Sequence, residues 1–371
     1  MGLGKRSFAV AASAVTAALL LAGCSTSSGD GTTPTPESST ASGTASQAPT
    51  PTGGGSASPT APGSAAPPPT QSSDDLPPMS DSVSLPALMR EDVRGTDLTL
   101  GKVLGRLGTY TRYAVTYRAD DLTISGIMNV PAGGGPFPVV VLLHGYIDPA
   151  VYVTGQGYRR EQDALARNGY VAFHVDYRNH AGSDADPRND VDLRLGYARD
   201  TIAAVEAVTA SRLPFLDGER IGLIGRSMGG QVGLNALVAK PGLVDAAVTY
   251  ASVSTDAVDN YDRWIRFADG RGQLAAAIER DHGSPEDKPE FWRGVSARSY
   301  FDRITTPVMV HHGVIDDTCP IAWSRATVRA LRAADVDVTY HEYPGENHYM
   351  YAAWAPSFQR TLAFLAEHLQ V

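Results

Sequence analysis

Five short apolar runs constrain this chain more than anything else in it: "PVVVLLHG" (138–145), "YVAFHVDY" (170–177), "RIGLIGRS" (220–227), "DAAVTYAS" (245–252) and "TPVMVHHG" (306–313). Continuous apolar runs of this length suit strands buried on both faces, which requires a sheet covered by helices. The segments between them supply the helices. "RREQDALARNG", "DLRLGYARDTIAAVEAVTA" and "MGGQVGLNALVAKPG" carry apolar residues at helical spacing, two of them ending near Gly. The alternation predicts an α/β fold, a mainly parallel central sheet with helices on both faces. Ahead of it, "TYTRYAVTYRA" and "DLTISGIMNVP" read as a hairpin turning at Asp120 and Asp121, an antiparallel leading edge to the sheet. Residues 83–371 are enough for one such domain.

The preceding residues have a different character. Residues 24–82 are mostly Ser, Thr, Pro, Gly and Ala with too little large hydrophobe to bury, which predicts a disordered tether kept extended by pieces such as "APPPT". Before it, Lys5 and Arg6 lead into "FAVAASAVTAALLLAG", which ends at Cys24 in "LAGC". This resembles a bacterial lipoprotein signal peptide over residues 1–23. The resemblance implies cleavage after Gly23, diacylglycerol on the Cys24 thiol, and an exported protein held at the outer face of the cell membrane. The run is short for a membrane span, and Arg6 stands where a myristoylation motif needs Ser or Thr. Cys319 is then the one thiol left for the mature domain, with no intramolecular partner. A formal net charge of −9 and a pI near 5.5 exclude the basic footprint of a nucleic-acid binder.

Within the domain, "GRSMGG" (225–230) raises a specific chemical possibility. A Gly-x-Ser-x-Gly pattern is weak alone, but this one follows the apolar strand "RIGLI" and opens a helical segment. That strand–turn–helix setting places a serine on a strained turn whose neighbours must be small, and Gly225, Gly229 and Gly230 meet the demand. The helix start aims free amides where negative charge develops on an attacked carbonyl. Met228 is expected to give one amide to such an oxyanion hole. Tyr146, in "LLHGYIDP", is expected to give the second, with Gly145 allowing close approach and His144 bracing the loop.

A serine needs a base, and the base needs an orienting acid. "PVMVHHGVIDDTCP" offers Asp316 after a late strand, and "YHEYPGENHYM" offers His348 after the next, giving the chain order Ser227, Asp316, His348. Asp317 and Asp256 are the competing acids. His174, His311, His312 and His341 fall in or beside strand patterns and read as packing or surface positions. A metal site from His311, His312 and His341 lacks any recognised ligand spacing, so no metal is expected, and this chemistry needs no cofactor.

Taken together, "HGY", "GRSMGG", "HGVIDD" and "GENH" resemble the α/β-hydrolase superfamily, specifically the prolyl oligopeptidase catalytic domain and the dienelactone hydrolases, over most of residues 110–371. The resemblance implies a serine hydrolase with the acid at Asp316 and the base at His348. Two departures stand out: "HGYI" where oligopeptidases usually carry "HGGP", and Cys319 where Val is common. The residues before the hairpin leave no room for the β-propeller of true oligopeptidases, which favours a carboxylesterase activity, while the resemblance itself favours a prolyl-oligopeptidase-like peptidase; triad chemistry serves esters and amides alike. Residues 254–300, with Trp264, Phe267, Phe291, Trp292 and Tyr300, are expected to form a small helical cap, most of its aromatics packing its own core. The alternative is a surface binding protein on an inactive hydrolase fold, which the intact set of motifs disfavours.

Overall fold

A computed structural model describes residues 76–371; the signal-peptide reading, Cys24 and the tether up to residue 75 lie outside the described residues. After a one-turn helix, α1 (Leu85–Leu88), three antiparallel strands follow: β1 (Gly95–Arg106), β2 (Tyr110–Ala119) and β3 (Leu122–Pro131). The expected hairpin is β2–β3, turning at Asp120 and Asp121. β1 is additional to the sequence reading. Its side chains are largely exposed, and three register shifts interrupt its pairing with β2, so no alternating apolar pattern marks it.

The parallel part comprises β4 (Phe137–Leu143), β5 (Val171–Val175), β6 (Leu216–Arg226), β7 (Ala246–Tyr250), β8 (Val308–Gly313) and β9 (Val338–Tyr343). Among the described residues the sheet order is β1-β2-β3-β5-β4-β6-β7-β8-β9, with β3 joining β5 antiparallel. Inward residues alternate between two cores. Val139, Val141 and Leu143 of β4 pack in the core that receives α3 (Leu195–Thr209) and α4 (Met228–Ala239). Val140 and Leu142 pack in the core shared with α2 (Arg159–Arg167) and α9 (Trp354–His368). Each strand face therefore has its own helical layer, which explains the unbroken apolar runs.

The chain leaves β4 toward β5 on one side and later returns as β6 on the other. This reversal opens a crevice at the carboxyl ends of β4 and β6, the place where open α/β sheets bind ligands. Leu143 pairs there with Gly225, which brings the "HGY" loop beside the "GRSMGG" turn.

Between β7 and β8 lie α5 (Ala257–Tyr261), a π-helical turn (Asp262–Arg266), α6 (Gly272–His282), α7 (Pro289–Gly294) and a kinked 3-10 segment (Ala297–Arg303). This is the expected helical cap. Trp292 packs 4.5 Å from Tyr261 and edge-on to Phe291, while His282 stacks on Phe291. Phe291 and Trp292 are buried, but in the same core as β4, α3 and α4 rather than in a core of the insertion alone, whereas Trp264 and Phe267 are exposed. One further helix, α8 (Ile321–Ala333), connects β8 to β9.

Candidate active site

Ser227 has φ 54° and ψ −121°, a region that a residue with a side chain occupies only when its surroundings hold it. They do. Its amide donates to the Tyr250 carbonyl at 2.9 Å, and its carbonyl accepts from Gly230 at 3.0 Å and Val253 at 3.2 Å. The turn closes tightly on β4: a Cβ on Gly229 would overlap the Leu143 carbonyl, so that position is restricted to glycine by space alone. Met228 opens α4, and its amide belongs to the first turn, which has no intrahelical acceptor.

The expected acid and base meet. His348 Nδ1 lies 2.8 Å from Asp316 Oδ2, which selects the tautomer with the proton on Nδ1 and leaves Nε2 to accept. The other carboxylate oxygen, Oδ1, accepts the amides of Thr318 at 2.9 Å and Cys319 at 2.8 Å. Burial alone would raise the Asp316 carboxyl, but hydrogen bonds from the rings of His312 and His348 and from the Cys319 amide outweigh it and hold the group well below the usual carboxylate range. The competing carboxylates have other neighbours: that of Asp256 caps α5 through the Val258 amide, and that of Asp317 accepts from Thr318 Oγ1 at 3.4 Å.

Ser227 Oγ lies 3.9 Å from Cys319 Sγ. Burial, and then the nearby Asp316 carboxylate, push that thiol up to about 12, so it stays protonated and does not compete as a nucleophile.

On the opposite side, Gly145 stands so close that a Cβ there would sit 3.1 Å from Ser227 Cβ. The Tyr146 ring is flanked by two guanidinium groups: Arg194 lies 4.7 Å from its centroid, and Arg271 of the insertion donates to its hydroxyl at 3.0 Å. Arg194 also reaches Met228 Sδ at 3.7 Å, linking the side chains of both expected oxyanion residues. The loop behind them is moored by buried Asp176, whose Oδ1 accepts from Tyr152 and the Gly155 amide and whose Oδ2 accepts from Ser125.

Five of these partners were not identified as such in the sequence. His312, read as packing, lies with Nε2 3.2 Å from Asp316 Oδ2 and 2.8 Å from the Cys319 carbonyl. Arg263 donates to the Thr318 carbonyl at 2.9 Å, tying the insertion to the acid loop. Arg194, Arg271 and Asp176 complete the set. The doubled histidine at the end of β8 was the one available signal; the others are charged residues in loops or at element ends whose contacts are set by tertiary structure. His311 and His341 stack 5.4 Å apart, with His311 also bonded to Tyr343 and Thr361, and among the described residues no group of three His, Cys, Asp or Glu forms a metal-ligand set.

His144 braces the loop as expected, with Nδ1 2.7 Å from the Gly145 carbonyl and Nε2 3.1 Å from that of Asp176. Burial, reinforced by the nearby His174 and His180 rings, pushes it down to about 3, and burial takes His174 to about 3 as well. Both histidines are therefore neutral when folded, while the unfolded chain takes up their protons from about pH 6.5. The unfolded state binds more protons below that pH, so stability is complete above it and falls as the pH drops toward 3, at up to about 1.4 kcal/mol per pH unit for each histidine. Asp316, with its depressed carboxyl, adds loss in the same direction at the acid end. Urea titrations at pH 7.5 and 5 are expected to give a clearly lower midpoint at pH 5; equal midpoints would refute the assignment.

The switch point, the strained serine turn and the surrounding sheet define an α/β-hydrolase. The family is equally clear: residues 156–371 match the prolyl oligopeptidase family, and the chain belongs to it. It is 27% identical over 236 residues to the uncharacterized peptidase YuxL of Bacillus subtilis strain 168, covering 62% of this chain and 34% of that protein, so it spans about a third of that relative's length. Among solved structures, acetyl xylan esterase from Paenibacillus sp. R4 superposes with a TM-score of 0.57 at 19% identity, covering 78% of this chain and 97% of that one. Acylaminoacyl peptidase from Pyrococcus horikoshii gives 0.55 at 21% identity, covering 71% of this chain and 42% of that one. At these identities the two structures speak to fold alone.

Proposed function

We propose that this protein hydrolyses carboxylic ester or short peptide bonds through an acyl-enzyme, with Ser227 as nucleophile, His348 as base and then acid, and Asp316 orienting the ring. The observation that carries the reading is the 2.8 Å contact between His348 Nδ1 and Asp316 Oδ2, which leaves Nε2 as the acceptor for a serine proton. Substrate entry turns Ser227 Oγ from Cys319 toward Nε2, since such contacts often tighten only once substrate is bound. Oγ attacks the carbonyl carbon, its proton passes to Nε2, and the amides of Met228 and Tyr146 bind the developing oxyanion. His348 then returns the proton to the leaving oxygen or nitrogen as that bond breaks. Water repeats the sequence to release the acid and free Ser227.

The test is to incubate the protein with a fluorophosphonate probe and then compare a 4-nitrophenyl ester with an aminoacyl 4-nitroanilide. Covalent labelling is expected, and the ratio of the two activities assigns ester or amide preference. A folded protein that neither labels nor turns over either substrate would instead be a binding protein on a hydrolase fold.

The same reading places the enzyme outside the cell, held by lipid on Cys24, on the strength of "LAGC" after the charged and apolar leader. Cells fed radiolabelled palmitate are expected to label the wild type and not Cys24→Ala; equal incorporation would rule the anchor out.

A further inference from the structure

A cavity of about 660 Å³ opens between the loop after β4, the start of α2 and the residues that follow His348. Ser227 and His348 are not among the residues that line it, but a chain neighbour of each is. Arg226, the residue before Ser227, and Tyr349, the residue after His348, both line it, and Arg226 Nη1 donates to the Tyr349 carbonyl at 3.4 Å. Its chemistry is lopsided for a chain of net charge −9: the guanidinium groups of Arg159, Arg160 and Arg226 line it against a single carboxylate, Glu161.

That carboxylate is already engaged. Glu161 Oε1 accepts from Trp354 Nε1 at 2.9 Å and from Arg226 Nη2 at 3.2 Å, and stands 3.9 Å from Arg160. Among the described residues Arg226 Nε has no hydrogen-bond partner, although it is buried. The Arg160 guanidinium lies over the Trp354 ring at 4.6 Å, an arrangement that uses the planar face and leaves the N–H edge for an anion. One wall is aromatic: Tyr349 and Tyr351 stack 5.5 Å apart at 12° and are both exposed.

We propose that this cavity is the leaving-group subsite of the enzyme and accepts a leaving group that carries a carboxylate. The proposal rests on the triad reading above. His348 hands its proton to the leaving atom, so that fragment departs on the His348 side, where Tyr349 opens the cavity. The two rings take the body of the fragment, and Arg159 and Arg160 take its charge. A carboxylated alcohol and the free C-terminus of a short peptide share this chemistry.

The experiment compares 4-nitrophenyl acetate with 3-carboxy-4-nitrophenyl acetate, each kcat/KM divided by the rate of its uncatalysed hydrolysis. A parallel arm compares an N-acyl dipeptide with its C-terminal amide, and the arm with the greater preference identifies the source of the carboxylate. The carboxylated substrate is expected to be favoured by about fivefold or more at low ionic strength, less in added salt, because partly exposed charges are screened. In Arg159→Gln/Arg160→Gln the ratio is expected to fall toward one. A ratio near one in the wild type in both arms, or one that survives the double substitution, overturns the proposal while Ser227-dependent turnover of the neutral ester leaves the triad reading standing. If no substrate turns over, the triad reading is what has failed. Calorimetric titration with 3-carboxy-4-nitrophenolate then decides the cavity by itself: binding weakened in the double variant supports it, and no binding overturns it.

Discussion

Ser227→Ala is expected to lower kcat by about a million-fold while leaving the fold intact, the scale seen when the nucleophile of a triad enzyme is removed. The structure supports both halves of that expectation. Among the described residues the Oγ has one hydrogen-bonding neighbour, Cys319 Sγ at 3.9 Å, so its loss costs little. The strained backbone is held by the bonds of the residue's own amide and carbonyl to Tyr250, Gly230 and Val253, which alanine retains. The unfolding midpoint should therefore move by no more than about 1 kcal/mol equivalent. Turnover of a 4-nitrophenyl ester and fluorophosphonate labelling, measured beside urea titrations, separate the two effects. Labelling that persists in a folded Ser227→Ala protein would remove Ser227 from the mechanism.

Asp316→Asn is expected to cost about 10⁴ in kcat with the protein still folded. The direction follows from the hydrogen bonds around the carboxylate. Oδ1 receives two backbone amides, from Thr318 and Cys319, so an asparagine keeps its oxygen there and turns its NH₂ toward His348. An amide donor at Nδ1 forces the ring proton onto Nε2, which then faces the serine as a donor and cannot accept its proton. Activity in Asp316→Asn within tenfold of wild type would mean that another group orients the base. Asp317→Asn, whose side chain meets Thr318 Oγ1 rather than His348, is the natural comparison.

The sequence carried the fold well where burial is two-sided. β4 to β8 were legible because both faces of each strand are covered, and the serine turn because its glycines are forced by close approach, as at Gly229 against β4. β1 was not, because an edge strand with bulges and exposed side chains carries no period. At the site, the residues that meet across chain order were legible from their positions after strands: Asp316 follows β8, and His348 follows β9. The residues that support them were not. Arg194, Arg263 and Arg271 look in sequence like any surface arginine, and what distinguishes them is a carbonyl, a ring or a sulfur brought close by the folded chain.

Two of those arginines tie the insertion to the site. Arg271 holds the hydroxyl of Tyr146 on one rim, and Arg263 holds the backbone of the acid loop on the other. A single insertion is thus fastened to both sides of the site, so a change that loosens its packing is expected to disturb the Tyr146 loop and the Asp316 loop together rather than one at a time.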